Sequence, residues 1–279
     1  MTAANPASGD NLALRARGVQ MEYRDRTTRE RFKAIETLDL DIVQGEFVTI
    51  VGPSGCGKST FLKIVNGLLT ATAGEILVQE VASGHQDAMV FQDSALFPWY
   101  KIIDNVAYGL ACAGMKKKEA HERALPLIKL VGLGGFEDKY PYQLSGGMQQ
   151  RANLARALAV DPALLLMDEP FAALDAQTRE VMQAELLRIW SGSEKISGVK
   201  KTVLFITHQI EEAVYLSDRV IVMSARPGRL MADIRIDMPR PRDLHIKRTQ
   251  QFQDYTEEIW QLIASQLKAA SGQFGGTQS

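Results

Sequence analysis

The stretch Gly52-Pro53-Ser54-Gly55-Cys56-Gly57-Lys58-Ser59 constrains this chain more than any other. It fits the pattern G-x-x-x-x-G-K-[ST]; FVTIV before it reads as a buried strand and KSTFLKIVNGLL after it as a helix. A strand that passes through glycines into a helix N-terminus makes an anion cradle. The glycines let the backbone curl until its N–H groups converge, and the helix dipole favours negative charge there. Lys58 is then placed to bridge the β- and γ-phosphates of a nucleotide, and Ser59 to ligate Mg²⁺.

Such a loop belongs to an α/β fold, and the apolar pattern agrees. ALLLMDEP, KTVLFITH and DRVIVMS are short continuous apolar runs separated by helical stretches such as TREVMQAELLRIW. Continuous rather than alternating runs predict strands buried on both faces of a mostly parallel sheet. LDLDIVQGEFVTIV predicts an alternating strand, a turn and then the buried strand, while AGEILVQEV and DAMVFQ predict further short strands. From Asp93 to Leu158 the β-branched runs vanish, and KKKEAHERALPLIKLVGL predicts a helical sub-domain inserted into the core at about 93–158. SGSEKISGVKK reads as a surface loop. Residues 1–11 and the final SGQFGGTQS are expected to be mobile tails, with a C-terminal helix predicted over FQDYTEEIWQLIASQL.

Composition excludes some roles. Lys and Arg number 32 against 33 Asp and Glu, a net charge of -1 that advertises no nucleic-acid partner. One of only two cysteines, Cys56, lies inside the phosphate loop, where a disulfide would strain it, so reduced thiols in a cytosolic compartment are expected. No apolar run approaches the ~20 residues that cross a bilayer, and MTAANPASGDN lacks the regions of a signal peptide. A membrane role would need another chain to supply the membrane part.

Other residues gain meaning from the phosphate loop. LLLMDEP puts Asp168 and Glu169 at the tip of an apolar strand, where ligands of parallel sheets bind. Asp168 would hold the Mg²⁺ shell and Glu169 would polarise a water for attack on the γ-phosphate. Read alone, such a pair is more often two solvated acids in a turn. His208 and Gln92 also follow strands and, singly, are ordinary polar end groups. LSGGMQQR, residues 144–151, sets Ser145, Gly146 and Gly147 at a helix start, a second anion-reading pattern in one chain.

The order and spacing of the phosphate loop, Gln92, LSGGMQQR, LLLMDEP, AALD and His208 resemble the ATP-binding subunit of ABC transporters over about residues 12–240, within an ATP-binding domain expected at 12–242. The resemblance implies a P-loop NTPase cassette, α/β, with an antiparallel β edge and the inserted helical sub-domain, and leaves 243–279 as a C-terminal helix and tail. It implies ATP and Mg²⁺ as ligands. Gly52 to Ser59, with Thr60, would hold the phosphates and Tyr23 would stack on adenine. Gln92 would sense Mg²⁺ and the attacking water, Glu169 would act as general base, and His208 would contact the γ-phosphate. It also gives the second anion site a purpose: Ser145, Gly146 and Gly147 would cap the nucleotide held by a partner cassette, with Asp175 coupling the two sites. Two positions depart from the family pattern, Ala172 in place of serine and Met148 in place of glutamine; neither removes a group that touches phosphate or metal.

MVFQDSALFPWYKIIDNVAYGL and SARPGRLMADIRIDMPRPRD resemble importers of nitrate, sulfonates, taurine and bicarbonate. The implied partners are a second ATP-binding subunit, transmembrane permease subunits and, indirectly, a solute-binding protein, with the chain peripheral on the cytoplasmic face. Leu96, Phe97, Pro98, Trp99 and Tyr100 would line a groove for a short permease helix, or else form the core of the helical sub-domain. The thirty-seven residues from 243 to 279 are too few for a regulatory domain. The alternatives are an exporter or lipid-extracting system, which the nucleotide motifs cannot separate from an importer, and a soluble ATPase of DNA repair or translation. Against the latter, Gln92 and Leu144 lie only 52 positions apart, leaving no room for a long coiled coil, and only one cassette is present. The full set Lys58, Asp168, Glu169 and His208 disfavours a non-catalytic scaffold, and the lack of an N-K-x-D element disfavours a GTPase.

Overall fold

A computed structural model describes residues 11–25, 27–79, 87–92, 95–197 and 200–274, with the backbone alone at 193–197 and 267–274. The chain opens with β1 (Leu12–Arg24), β2 (Arg31–Val43), β3 (Phe47–Val51), α1 (Lys58–Val65), β4 (Ala73–Val78) and β5 (Asp87–Val90). Three helices follow, α2 (Ile102–Cys112), α3 (Lys117–Leu130) and α4 (Gly146–Ala159). The chain then alternates through β6 (Leu164–Asp168), α5 (Ala176–Ser197), β7 (Thr202–Ile206), α6 (Ile210–Leu216) and β8 (Arg219–Met223), and ends with β9 (Gly228–Arg235) and α7 (Gln250–Phe274).

Among the described residues the strands form one sheet in the order β4-β1-β2-β9-β8-β3-β7-β6-β5. From β8 to β5 the neighbours β8-β3-β7-β6-β5 run parallel, while β1 pairs antiparallel with β2 and β4 and makes the antiparallel edge. Their apolar runs hide an alternation. Phe47, Val51, Leu165, Met167, Val203, Phe205, Val220 and Val222 face a core that includes residues of α2 to α7. Val48, Ile50, Leu164, Leu166, Leu204, Ile206, Ile221 and Met223 face the opposite core with α1, β1 and β2. Each such side chain contributes about 1.5–3 kcal/mol on burial, and because both faces are covered the run reads as unbroken.

Between β5 and β6 the described chain is helical, as expected, although Asp93 and Ser94 lie outside the described residues. Three expectations need correction. SGSEKISGVKK is not a loop throughout: α5 continues to Ser197, because Glu194 and Lys195 favour helix. The first helix stops at Val65 rather than running through Leu69, since Gly67 takes φ +77° and ends it as a left-handed C-terminal residue. The tail begins later than Ser271, for α7 runs to Phe274. Residues 1–10 and 275–279 lie outside the described residues.

The C-terminal segment is tied down by a buried arginine. Arg242 Nη1 donates to the carbonyls of Val214, Tyr215 and Ser217 at 3.1, 3.1 and 2.7 Å, and Nη2 to those of Ile236 and Met238 at 3.3 Å. It thereby serves carbonyls that the end of α6 leaves without intrahelical partners.

Candidate nucleotide site

The sheet order brings the C-terminal tips of β3, β7, β6 and β5 side by side, so the residues just beyond them share one edge. The loop after β3 enters α1 through Gly57 at φ +99°, where a Cβ would stand 2.9 Å from the Ala34 carbonyl oxygen. No side chain caps α1, so its first N–H groups are left for an anion. Lys58 is buried, and its Nζ donates to the carbonyls of Gly52 at 2.8 Å and Pro53 at 3.1 Å. The ammonium is thus held over the loop by the loop's own oxygens. Burial pushes the neighbouring Cys56 thiol pKa up; Cys56 and Cys112 are both free, the latter exposed.

Two motifs that the sequence separates by 109 positions meet here: Ser59 Oγ donates to Asp168 Oδ1 at 2.8 Å. Burial raises the Asp168 carboxyl above the usual carboxylate range, with the Ser59 hydrogen bond opposing it. A hydroxyl and a carboxylate, both hard oxygen donors already in contact, suit Mg²⁺, which takes one or two carboxylates and completes its shell with phosphate and water. One residue on, Glu169 adopts φ +46°, its N–H donates to the Ile206 carbonyl at 3.0 Å, and its Oε2 lies 3.0 Å from His208 Nδ1. The strained backbone and the neighbouring strand together aim this carboxylate at the imidazole.

Gln92 is exposed two residues beyond β5, and the carbonyl before it, that of Phe91, accepts from Gln150 Nε2 of α4 at 3.1 Å. Tyr23 OH and Thr60 Oγ1 are 3.4 Å apart, which brings the end of β1 to the start of α1. The other expected residues stand apart: among the described residues no hydrogen bond joins Ser145, Gly146, Gly147 or Asp175 to the phosphate loop. Ser145 caps α4 by accepting from the Met148 N–H at 3.3 Å; both Ser145 and Gly146 are exposed, and a Cβ on Gly146 would meet open space. Asp175 caps α5, taking the Thr178 N–H at 3.0 Å and the Thr178 hydroxyl at 2.6 Å, bonds that lower its pKa.

Sequence reading missed three residues here. Phe32 stacks on Tyr23 with ring centres 5.5 Å apart. Arg179 holds the loop bearing Asp175 through the Phe171 and Leu174 carbonyls at 3.3 and 2.7 Å, and reaches Gln209, next to His208, at 3.1 Å. Arg226 donates to the Gly55 carbonyl at 3.2 Å. Behind His208, Glu212 is buried and accepts from Gln183 Nε2 at 2.8 Å.

The aromatic segment after Gln92 divides. Leu96 is buried, while Phe97 packs on Trp99, Tyr100 and Tyr108 with ring centres 5.7, 5.6 and 4.6 Å away. Buried Asn105 fixes this segment, accepting from the Phe97 N–H at 2.8 Å and donating to the carbonyls of Phe97, Tyr100 and Lys101. Trp99 is left 67% exposed beside a cleft of about 330 Å³ lined by Tyr100, Asp104, Tyr108, Met115 and His121.

The chain has relatives among known proteins. The ABC transporter family matches residues 35–172. An uncharacterized ABC transporter ATP-binding protein of Methanocaldococcus jannaschii is 49% identical over 240 residues, covering 85% of this chain and 86% of the relative. A taurine import ATP-binding protein of Rhizobium johnstonii is 46% identical over 83% of this chain and 89% of its own length. An aliphatic sulfonates import ATP-binding protein of Bacillus cereus is 40% identical over 86% and 92%. Among solved structures, a dimeric ATP-binding cassette in a post-hydrolysis state with ADP and Pi superposes with a TM-score of 0.70 at 31% identity, covering 81% of this chain and all of that one. Identity near one half across nearly the whole of a relative, together with the strand-tip geometry, means that this chain belongs to the ATP-binding proteins of the ABC transporter family, which are ATPases.

Proposed function

We propose that this chain is the ATP-hydrolysing subunit of a membrane importer, pairing with a second cassette on ATP to drive uptake of a small anionic solute of the nitrate, sulfonate, taurine and bicarbonate class. The names of the taurine and sulfonate relatives support the importer and its solute class. The observation that carries the catalytic reading is the meeting of Ser59 with Asp168 beside the Glu169–His208 pair.

On this reading, residues 12–242 form the ATP-binding domain, with 93–158 as its helical sub-domain and 243–279 appended. The phosphate loop N–H groups and Lys58 take the phosphates, the ammonium exchanging its carbonyl partners for phosphate oxygens. Bound Mg²⁺ would supply charge neutralisation at the phosphate oxygens. Ser59 and Asp168 would hold it, and Gln92 stands at the same edge. Glu169 accepts a proton from the attacking water, and His208, hydrogen-bonded to it, orients the carboxylate and faces the γ-phosphate. The exposed start of α4, with Ser145, Gly146 and Gly147, caps a nucleotide held by the partner, and Asp175 sits on the loop between the two sites. Tyr23 receives the base.

Closure is favoured because ATP is satisfied on both sides only when two cassettes meet. A permease helix seated against Trp99 and the neighbouring cleft would carry that motion to the membrane. Among the described residues no helix is long and apolar enough to cross a bilayer. On the importer reading the chain sits at the cytoplasmic face through its partners, and the solute-binding protein acts on the permease rather than on this chain.

Glu169→Gln tests the reading. It keeps the size and one oxygen of the side chain but lacks the base, so ATP binding persists, hydrolysis falls by about a hundredfold or more, and ATP-bound dimers accumulate on a sizing column. Turnover at the wild-type rate would remove Glu169 from the mechanism.

A further inference from the structure

SARPGR, residues 224–229, links β8 to β9, and the proposed function gives it no task. The turn is closed on itself. Ser224 N–H donates to the Arg229 carbonyl at 2.9 Å, and Ser224 Oγ accepts from the Arg229 N–H and donates to the Pro227 carbonyl, both at 3.0 Å. This closed turn lies directly against the phosphate loop. A Cβ on Gly228 would fall 2.0 Å from the Cys56 carbonyl oxygen, and one on Gly55 would fall 2.9 Å from Arg226 Nη2. Arg226 Nε donates to the Gly55 carbonyl at 3.2 Å, and its guanidinium carbon lies 5.3 Å from the centre of the Phe32 ring.

The peptide geometry gives that hydrogen bond a consequence. In a trans peptide the C=O and N–H point in opposite directions. With the Gly55 oxygen held by the turn, the Cys56 N–H is directed back across the loop, where it meets the Pro53 carbonyl at 3.3 Å. Lys58 Nζ donates to the same oxygen at 3.1 Å. Two donors thus already converge on one oxygen, the arrangement a phosphate oxygen needs. Gly55, at φ +74°, has no side chain to resist rotation of this peptide, so its orientation rests on two contacts, the Cys56 bond to Pro53 inside the loop and the Arg226 bond to the Gly55 oxygen outside it.

We propose that Arg226 is a positioning residue of the phosphate loop, holding the Gly55 carbonyl outward so that the Cys56 N–H faces the nucleotide phosphates. The inference rests on residues 52–59 being the phosphate site.

Arg226→Ala and Arg226→Lys test it in the full chain, with ADP, pyrophosphate and adenosine as probes in a displacement assay and steady-state ATPase beside it. One net hydrogen bond corresponds to about a fivefold change. ADP and pyrophosphate therefore bind the alanine variant about fivefold more weakly, the KM for ATP rises by the same factor, and kcat and adenosine binding stay within about twofold. The lysine variant, which keeps a donor, falls between alanine and wild type. A merely structural contact would not separate pyrophosphate from adenosine. Unchanged ADP affinity overturns the proposal, and so does an equal loss for adenosine, which would assign Arg226 to the base side through Phe32. Wild-type protein that binds no ADP refutes the phosphate-loop reading and this inference with it; normal wild-type binding with an unchanged variant refutes this inference alone.

Discussion

Replacing Arg242 by alanine should destabilise the protein by about 3 kcal/mol. Its guanidinium serves five carbonyls, and Ser217, whose oxygen takes the shortest of the five bonds, is fully buried. Each buried carbonyl left without a donor costs about 1–3 kcal/mol. Offsetting this, the variant no longer desolvates a cation whose pKa burial and neighbouring Arg240 pull down to about 10, which still leaves it charged at neutral pH. Some carbonyls will also be reached by water entering the vacated space. The net of about 3 kcal/mol corresponds to about 5 °C in the unfolding midpoint for a chain of 279 residues. Circular dichroism melts of wild type, Arg242→Ala and Arg242→Met, without nucleotide, would measure it. Methionine keeps the packing of the stem without the donors, so it should recover little. If the methionine variant melts within about 1 °C of wild type, the hydrogen bonds do not hold the C-terminal segment and the reasoning fails.

Two other perturbations probe different parts of the molecule. Burial holds the Glu212 carboxyl above its ordinary range, against the opposing bonds from Thr207 and Gln183. The folded state therefore keeps a proton that the unfolded chain releases near pH 4.5, and stability falls as pH rises through that window toward the raised value. Glu212→Gln keeps the acceptor for Gln183 and removes the dependence, so it should raise the melting temperature at about pH 8 but not at about pH 4; an equal effect at both would contradict the assignment. Trp99→Asp places a charge in the exposed aromatic surface. Co-purification of the permease should drop by about thirtyfold, the loss of an aromatic anchor worth about 2 kcal/mol, with the ATPase of the isolated cassette unchanged within about twofold; retained permease would move the docking surface elsewhere.

The phosphate loop, the carboxylates after β6 and His208 were legible because each is a local pattern: a strand that stops, followed at once by the group that acts. The parallel sheet then aligns them without further information. Phe32, Arg179 and Arg226 were not legible, because their meaning lies in contacts made across the fold. Arg226 meets Gly55 across 171 positions, and nothing near either residue announces it. Arg242 is similar: an arginine between Pro241 and Asp243 reads as solvated until the end of α6 arrives beside it. The misread stretch after Trp190 failed for a different reason. Serines and glycines suggested a loop, yet α5 had already begun, and extending a helix is far easier than starting one. Asp175 shows the opposite ambiguity, since its two bonds to Thr178 give it a complete capping role whatever it does for a partner site.

Glu169 sits at φ +46°, in backbone territory where glycine and asparagine are comfortable and glutamate is not. A redesign guided by folding stability alone would select glycine there and gain about 1 kcal/mol or more. It would also discard the carboxylate beside His208. Position 169 is therefore a point where fitness for turnover and fitness for folding rank the amino acids in opposite order, and consensus or stability-optimised variants of this chain should be screened for activity before they are adopted.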